Sequence, residues 1–213
     1  YERAGDRAIV RSAYAEAFAH FDAALAEMQH LPSGEERSKR ELAILLKLGP
    51  VILIYKGLQR PEIEDVYRRA YDIARVSGSE HTLFKSLWGL WFFTNMNRQT
   101  AAAREYAEQL VAIGRKSSDD ALFFEALHCR WSTAFFRGDI LQLIADGREG
   151  IQHYDSARHS RLSAEYGGHD PGVCAYTVLG IGLALYGHTR QARDIIDHGV
   201  SLGESLDHPS SQT

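Results

Sequence analysis

The chain has 213 residues, 45% of them apolar and 24% charged, with a net charge of −4. Acidic and basic residues are interspersed, which excludes the basic field that would hold nucleic acid or an anionic membrane surface. The longest apolar runs, LAILLKLGPVILIY and VCAYTVLGIGLALYG, are shorter than the roughly 20 residues a spanning helix needs, and two cysteines without a CxxC partner, Cys129 and Cys174, are expected to be small apolar side chains in a reduced, cytoplasmic setting.

Periodicity reads as helix nearly everywhere, without strand-length alternation. Ala17, Phe21, Ala24, Leu25 and Met28 form one inward stripe and predict a helix over 14–31. LPSGEE interrupts it, and Ser33 with Glu36 has the spacing of a capping box opening a helix over 36–57. Gly49-Pro50 lies in the middle of that helix, where proline removes a backbone donor, so a kink or break is expected. Pro61 suits the first turn of a helix over 61–78, with Gly78 as its C-terminal cap. Further helical patterns cover 82–96, 101–116, 120–138, 141–155, 171–189 and 190–206. Connections are short, which favours antiparallel neighbours and, with the opening segment, five helix pairs.

The second helix of each pair carries three small or apolar positions spaced by four and then three residues. These are Ala17/Phe21/Ala24, Val66/Ala70/Ile73, Ala103/Ala107/Leu110, Leu143/Gly147/Gly150 and Ala192/Ile196/Gly199. Small residues there let adjacent helices approach, and the larger one fills the groove. A helix pair recurring at such intervals is the signature of a solenoid.

LGIGLALYGHTRQARDIIDHGV, with Leu179-Gly180, Gly187, Ala192, Ile196 and Gly199, resembles a tetratricopeptide repeat (TPR), and AEAFAHFDAAL is similar to the second helix of one. Trp91 and Trp131 stand where that repeat has a small residue, and the period exceeds its usual ~34 residues, which leaves HEAT-like pairs as an alternative. Across the chain, AGDRA, RSAYAEAFAHF, LWGLWFF, AREYAEQLVAIG, YGGHDPGVCAY and LALYGHTRQA, in this order, resemble the helical-repeat region of large bacterial signalling proteins. In those proteins a class III adenylate/guanylate cyclase or other output domain is followed by a STAND-type ATPase and then the repeats. The resemblance implies a single all-α domain over 1–213, a right-handed TPR-like α-solenoid. It also implies that the chain is a piece of a longer regulator, as do its start at Tyr1 and its end at DHPSSQT.

Chemistry-bearing residues concentrate around EYGGHDPGVCAY, Glu165 to Tyr176. Asp155 and His159 could share a helix face near His153, His169, Asp170 and Cys174, but His153 and His159 diverge by about 240° on a helix. No HExxH or paired CxxC supports a metal enzyme, so solvated or capping roles are expected for these side chains. The glycines of the stretch are expected to end one helix with positive φ, Asp170 to cap the next and Pro171 to occupy its first turn. No catalytic residue, metal or cofactor is expected, and no phosphate-binding loop is present.

If the repeat register holds, Lys85, Trp88, Phe92 and Asn95 from one helix, and Glu125, His128, Ser132 and Phe135 from another, line a concave binding face. Rings supply area and polar groups supply register, which suits a protein or peptide partner or another domain of the same polypeptide. The expected function is a non-catalytic interaction or sensory module, cytoplasmic, without nucleic-acid binding or membrane insertion, and able to self-associate. The alternatives are a small-molecule sensor enclosed by Trp88, Phe92 and His128, a metal-dependent enzyme using His153, His159 and His169, and a structural spacer.

Overall fold

The structure is a computed structural model in which residues 1–167 and 169–206 are described. All regular elements among the described residues are helical. They are α1 (Glu2–Val10), α2 (Tyr14–Met28), α3 (Glu35–Lys56), α4 (Pro61–Ser77), α5 (Glu80–Met96) and α6 (Thr100–Gly114), then α7 (Asp120–Arg137), α8 (Ile140–His153), α9 (Ser156–His159), α10 (Pro171–Leu185) and α11 (Thr189–Ser205). A π-helical turn, Ser163–Gly167, precedes α10. The chain forms two compact units, Tyr1–Tyr106 and Ala107–Thr213, whose boundary falls within α6.

In the first unit α1 packs on α2, α2 on α3, α3 on α4 and α4 on α5. Its core holds Ala8, Ala17, Phe21, Ile52, Ile63, Tyr67 and Leu90. Tyr67 of α4 is 2% exposed and fits between two glycines, Gly49 of α3 and Gly89 of α5. A Cβ at either glycine would overlap the Tyr67 ring. The inward stripe of α4 is therefore Ile63, Tyr67, Ala70 and Ala74, while Val66 and Ile73 of the predicted triplet are half-buried at its edge. Pro50 does not break α3, which is continuous through it. The ring lies on the exposed side, where the carbonyl it leaves unbonded can be met by water.

In the second unit α7 packs on α8, α8 on α10 and α10 on α11, and α7 also touches α10. Here too glycines admit large side chains. Gly150 of α8 receives the fully buried Trp131 of α7, and Gly172 of α10 receives Tyr154. Trp131 thus occupies a position where a small residue was expected because its neighbour supplies the small residue instead. The triplets Ala17/Phe21/Ala24, Ala103/Ala107/Leu110 and Leu143/Gly147/Gly150 are buried throughout, but Ile196 of α11 is 40% exposed.

The helix ends follow local chemistry with two corrections. Side chains of Ser79, Asp119 and Asp139 accept backbone N–H bonds at the starts of α5, α7 and α8, and Pro61 opens α4. Gly138 closes α7 in the left-handed region at φ 70°. The capping box at Ser33 and Glu36 does not form: α3 starts at Glu35 behind an extended Gly34, and no side chain caps it. Gly78 ends α4 in an extended conformation rather than a left-handed one, its N–H still reaching the Ala74 carbonyl at 2.9 Å.

Candidate functional site

The stretch from Glu165 to Tyr176 joins two helices, and Asp170 sets its geometry. Asp170 Oδ1 accepts from the backbone N–H of Gly172 at 2.8 Å and of Val173 at 3.1 Å, and Pro171 takes the first helical position. The Tyr154 hydroxyl donates to Asp170 Oδ2 at 3.0 Å. The carboxylate is 1% exposed, so its bonds are made in a dry setting. The expected positive φ of the glycines lies partly outside the described residues, at Gly168; Gly167 ends the π-helical turn. Asp170→Ala is expected to lower stability by about 1–2 kcal/mol, the loss of a helix cap, whereas Asp170→Asn, which keeps an acceptor, loses less. Thermal unfolding of the two variants measures this.

Beyond capping, the joint delivers two side chains to a third. His169, just before α10, and Cys174, in its first turns, meet His128 from the middle of α7. Nε2 of His169 lies 3.2 Å from Nε2 of His128, and the rings meet edge to face at 84°. Nδ1 of His128 lies 3.3 Å from the Glu125 carboxylate one turn back on α7. The Trp131 indole N–H donates to Cys174 Sγ at 3.4 Å. Glu125 and His128 are buried, His169 and Cys174 half-buried.

Burial opposes a charge on His128, yet the Glu125 carboxylate and the Cys174 sulfur reverse that and raise its pKa well above the ordinary imidazole value. Burial equally opposes the Cys174 thiolate, and His128, with help from His169, overcomes it and lowers the thiol pKa. Cys129 is the opposite case: fully buried, its thiol is pushed far up, as befits an inert apolar side chain. Cys129 is the small apolar side chain expected, whereas Cys174 is half-buried, accepts the Trp131 N–H and lies beside two imidazoles.

The residues around Asp155 have other duties. Asp155 caps α9 by accepting from the Ala157 N–H at 3.0 Å and pairs with Arg158. His159 is not solvated; it is 1% exposed, stacks on Phe124 at 4.6 Å, and accepts the N–H of Asp155, the N-cap of α9, on Nδ1 at 3.0 Å. Burial lowers its pKa, which favours the neutral ring. His153 bonds the Glu149 carbonyl and meets Phe123 edge-on.

The eight residues of the expected binding face differ in depth. On α5, Trp88 and Asn95 are buried, while Lys85 and Phe92 are half-buried, with Phe92 stacked on Trp88 at 5.1 Å. On α7, Glu125 and His128 are buried, Ser132 is half-buried, and Phe135 is 41% exposed. Two open grooves lie elsewhere. One of about 770 Å³ is lined by Glu35, Glu41, Arg69, Asp72 and Ile73, and one of about 380 Å³ by Arg148, Leu179, Leu183 and Ile195. Neither opens onto the Cys174 sulfur. Among the described residues no helix is long and apolar enough to cross a membrane.

No family model matches the chain. It is 25% identical over 211 residues to an uncharacterized protein of Rhizobium meliloti (strain 1021), an alignment covering 98% of this chain and 20% of that protein. The chain thus spans about a fifth of that relative's length. Among solved structures, a kinesin light chain-like protein of Podosopora anserina with nearly identical TPR-like repeats superposes with a TM-score of 0.69 at 14% identity, covering 97% of this chain and 95% of that one. A point variant of the same protein gives 0.70 at 15%, over 96% and 93%. At such identities the likeness bears on fold alone, and the fold is an all-α solenoid of TPR-like helical repeats.

Proposed function

We propose that the chain is a non-catalytic docking and sensory module, the repeat segment of a bacterial multidomain signalling protein of the cyclase–STAND ATPase type. The observation that carries this reading is the TPR-like repeat fold running through 96% of the chain, an architecture whose stacked helices offer extended surfaces. The ordered sequence resemblance to signalling proteins and the fivefold greater length of the Rhizobium relative support the multidomain setting.

Docking uses the accessible members of the two faces, Lys85 and Phe92 on α5, and Ser132 and Phe135 on α7. The buried Trp88, Asn95, Glu125 and His128 hold those faces rather than touch the partner. The partner is a protein segment, from another chain or another domain of the same polypeptide, and its binding biases the output through differential affinity for two states.

Site-specific photo-crosslinking in the full-length protein tests this. A photoreactive phenylalanine analogue at Phe92 or at Phe135 is expected to give, for each position taken by itself, adducts that map to a discrete peptide, whereas the same group at the exposed Val10 or Val76 gives none. Equal, diffuse labelling at all four positions would remove the proposal.

A further inference from the structure

The cluster of His128, His169 and Cys174 is built like a metal centre, and this separates it from the other described histidines. We propose that His128 Nε2, His169 Nε2 and Cys174 Sγ together bind one zinc ion, with a water completing the tetrahedron.

The first argument is distance. The three donor atoms lie within 4.8 Å of one another. Two nitrogens bound at about 2.0–2.1 Å to one tetrahedral zinc stand about 3.3 Å apart, and a thiolate at about 2.3 Å stands only slightly farther from each. The observed separation of the two Nε2 atoms is 3.2 Å. Their rings meet at 84°, edge to face rather than stacked, so both Nε2 atoms stand at the contact within ligand reach of the Cys174 sulfur.

The second argument is the support around the ligands. A zinc-bound imidazole presents one nitrogen to the metal and gives its other N–H to a carboxylate or carbonyl, which fixes the tautomer. Glu125 meets His128 Nδ1 at 3.3 Å from a site 1% exposed, so Nε2 is left facing the cluster. The Trp131 N–H at 3.4 Å does the same for the sulfur, orienting it and moderating its charge. Asp170, by capping α10, fixes the backbone between the other two ligands, His169 and Cys174.

The third argument is donor chemistry. One thiolate and two imidazoles suit zinc, whereas the all-oxygen sets that suit magnesium or calcium are absent from this cluster. Bound there, zinc would tie the middle of α7 to the start of α10, both in the second unit. Binding of zinc to this chain requires no partner, so this inference and the docking proposal fail independently.

The test uses untagged chain, freed of metal and titrated with zinc against a chromophoric chelator, and separately with cobalt(II). One equivalent is expected to bind, with cobalt giving the strong visible bands of a tetrahedral site and a thiolate charge-transfer band in the near ultraviolet. Cys174→Ser is expected to abolish the charge-transfer band. Glu125→Gln, which keeps every ligand, is expected to weaken zinc binding about 10–100-fold. His153→Gln should bind as the parent does. Circular dichroism of each metal-free variant establishes folding, and the parent's own rise in melting temperature with zinc needs no variant at all. Absence of stoichiometric binding to the folded parent, or a charge-transfer band that survives Cys174→Ser, would overturn the assignment.

Discussion

Gly89→Ala is expected to destabilise the chain by about 2–3 kcal/mol, although alanine is the better helix former by about 1 kcal/mol. The methyl group would enter the space held by the Tyr67 ring, which Gly49 confines from the other side. A ring 2% exposed has no solvent side to retreat to, and its neighbours include Ile63 and Leu90, both almost fully buried. Overpacking of this kind shifts backbone and rotamers together, and for a chain of this length the expected fall in melting temperature is about 4–12 °C. A double substitution separates the cause from any other effect of the methyl group. Tyr67→Leu removes the ring, so Gly89→Ala should be nearly neutral or even stabilising in that background, a coupling of about 2 kcal/mol measurable by chemical denaturation. A stabilising Gly89→Ala in the parent would show that Tyr67 is not seated between the glycines.

The same glycines explain how much of the fold was legible beforehand. Small residues recurring at helical spacing announced stacked helix pairs, and the all-α solenoid follows from that pattern. What the pattern did not reveal is which large side chain each small one admits, because the two come from different helices. The α4 register was read from Val66, Ala70 and Ile73, but two glycines elsewhere turn Tyr67 inward and shift the stripe. Pro50 looked like a break, since its cost depends on whether its side of the helix is wet. Asp170 and Pro171 were legible as a helix start because that chemistry is local.

The cluster behind them was not legible as a unit. Periodicity puts His128 on a binding face, and His169, 41 residues further along, in a joint with Cys174. The available signal was a histidine five residues before a cysteine at a helix start, with a Glu-x-x-His pair on an earlier helix. Only the packing of α7 on α10 turns these fragments into one site.

Arg130→Met carries the largest expected loss, about 3–5 kcal/mol near neutral pH, because it strands a buried charge. Arg130 reaches from α7 to α8, where Nη2 lies 2.8 Å from Asp146 and 2.7 Å from Glu149. The Asp146 side chain is 1% exposed, and Gln142 also donates to it at 2.7 Å. Burial raises the Asp146 pKa by more than Arg130 lowers it, so the ion pair only partly repays the desolvation of its own carboxylate. A carboxyl whose pKa is higher in the folded than in the unfolded chain contributes stability that is full below the unfolded value and lost as pH rises through the folded value. Removing Arg130 raises the folded value further and enlarges that loss at neutral pH. Acidification toward pH ~4–5 therefore should recover part of the Arg130→Met deficit, since the stranded carboxyl then takes up a proton. Adding Asp146→Asn should recover a similar part at neutral pH without any change of acidity. Urea unfolding of the single and double variants at both pH values decides the matter. A deficit independent of pH and unrelieved by Asp146→Asn would mean that Arg130 serves through packing of its aliphatic stem, with its charge contributing little.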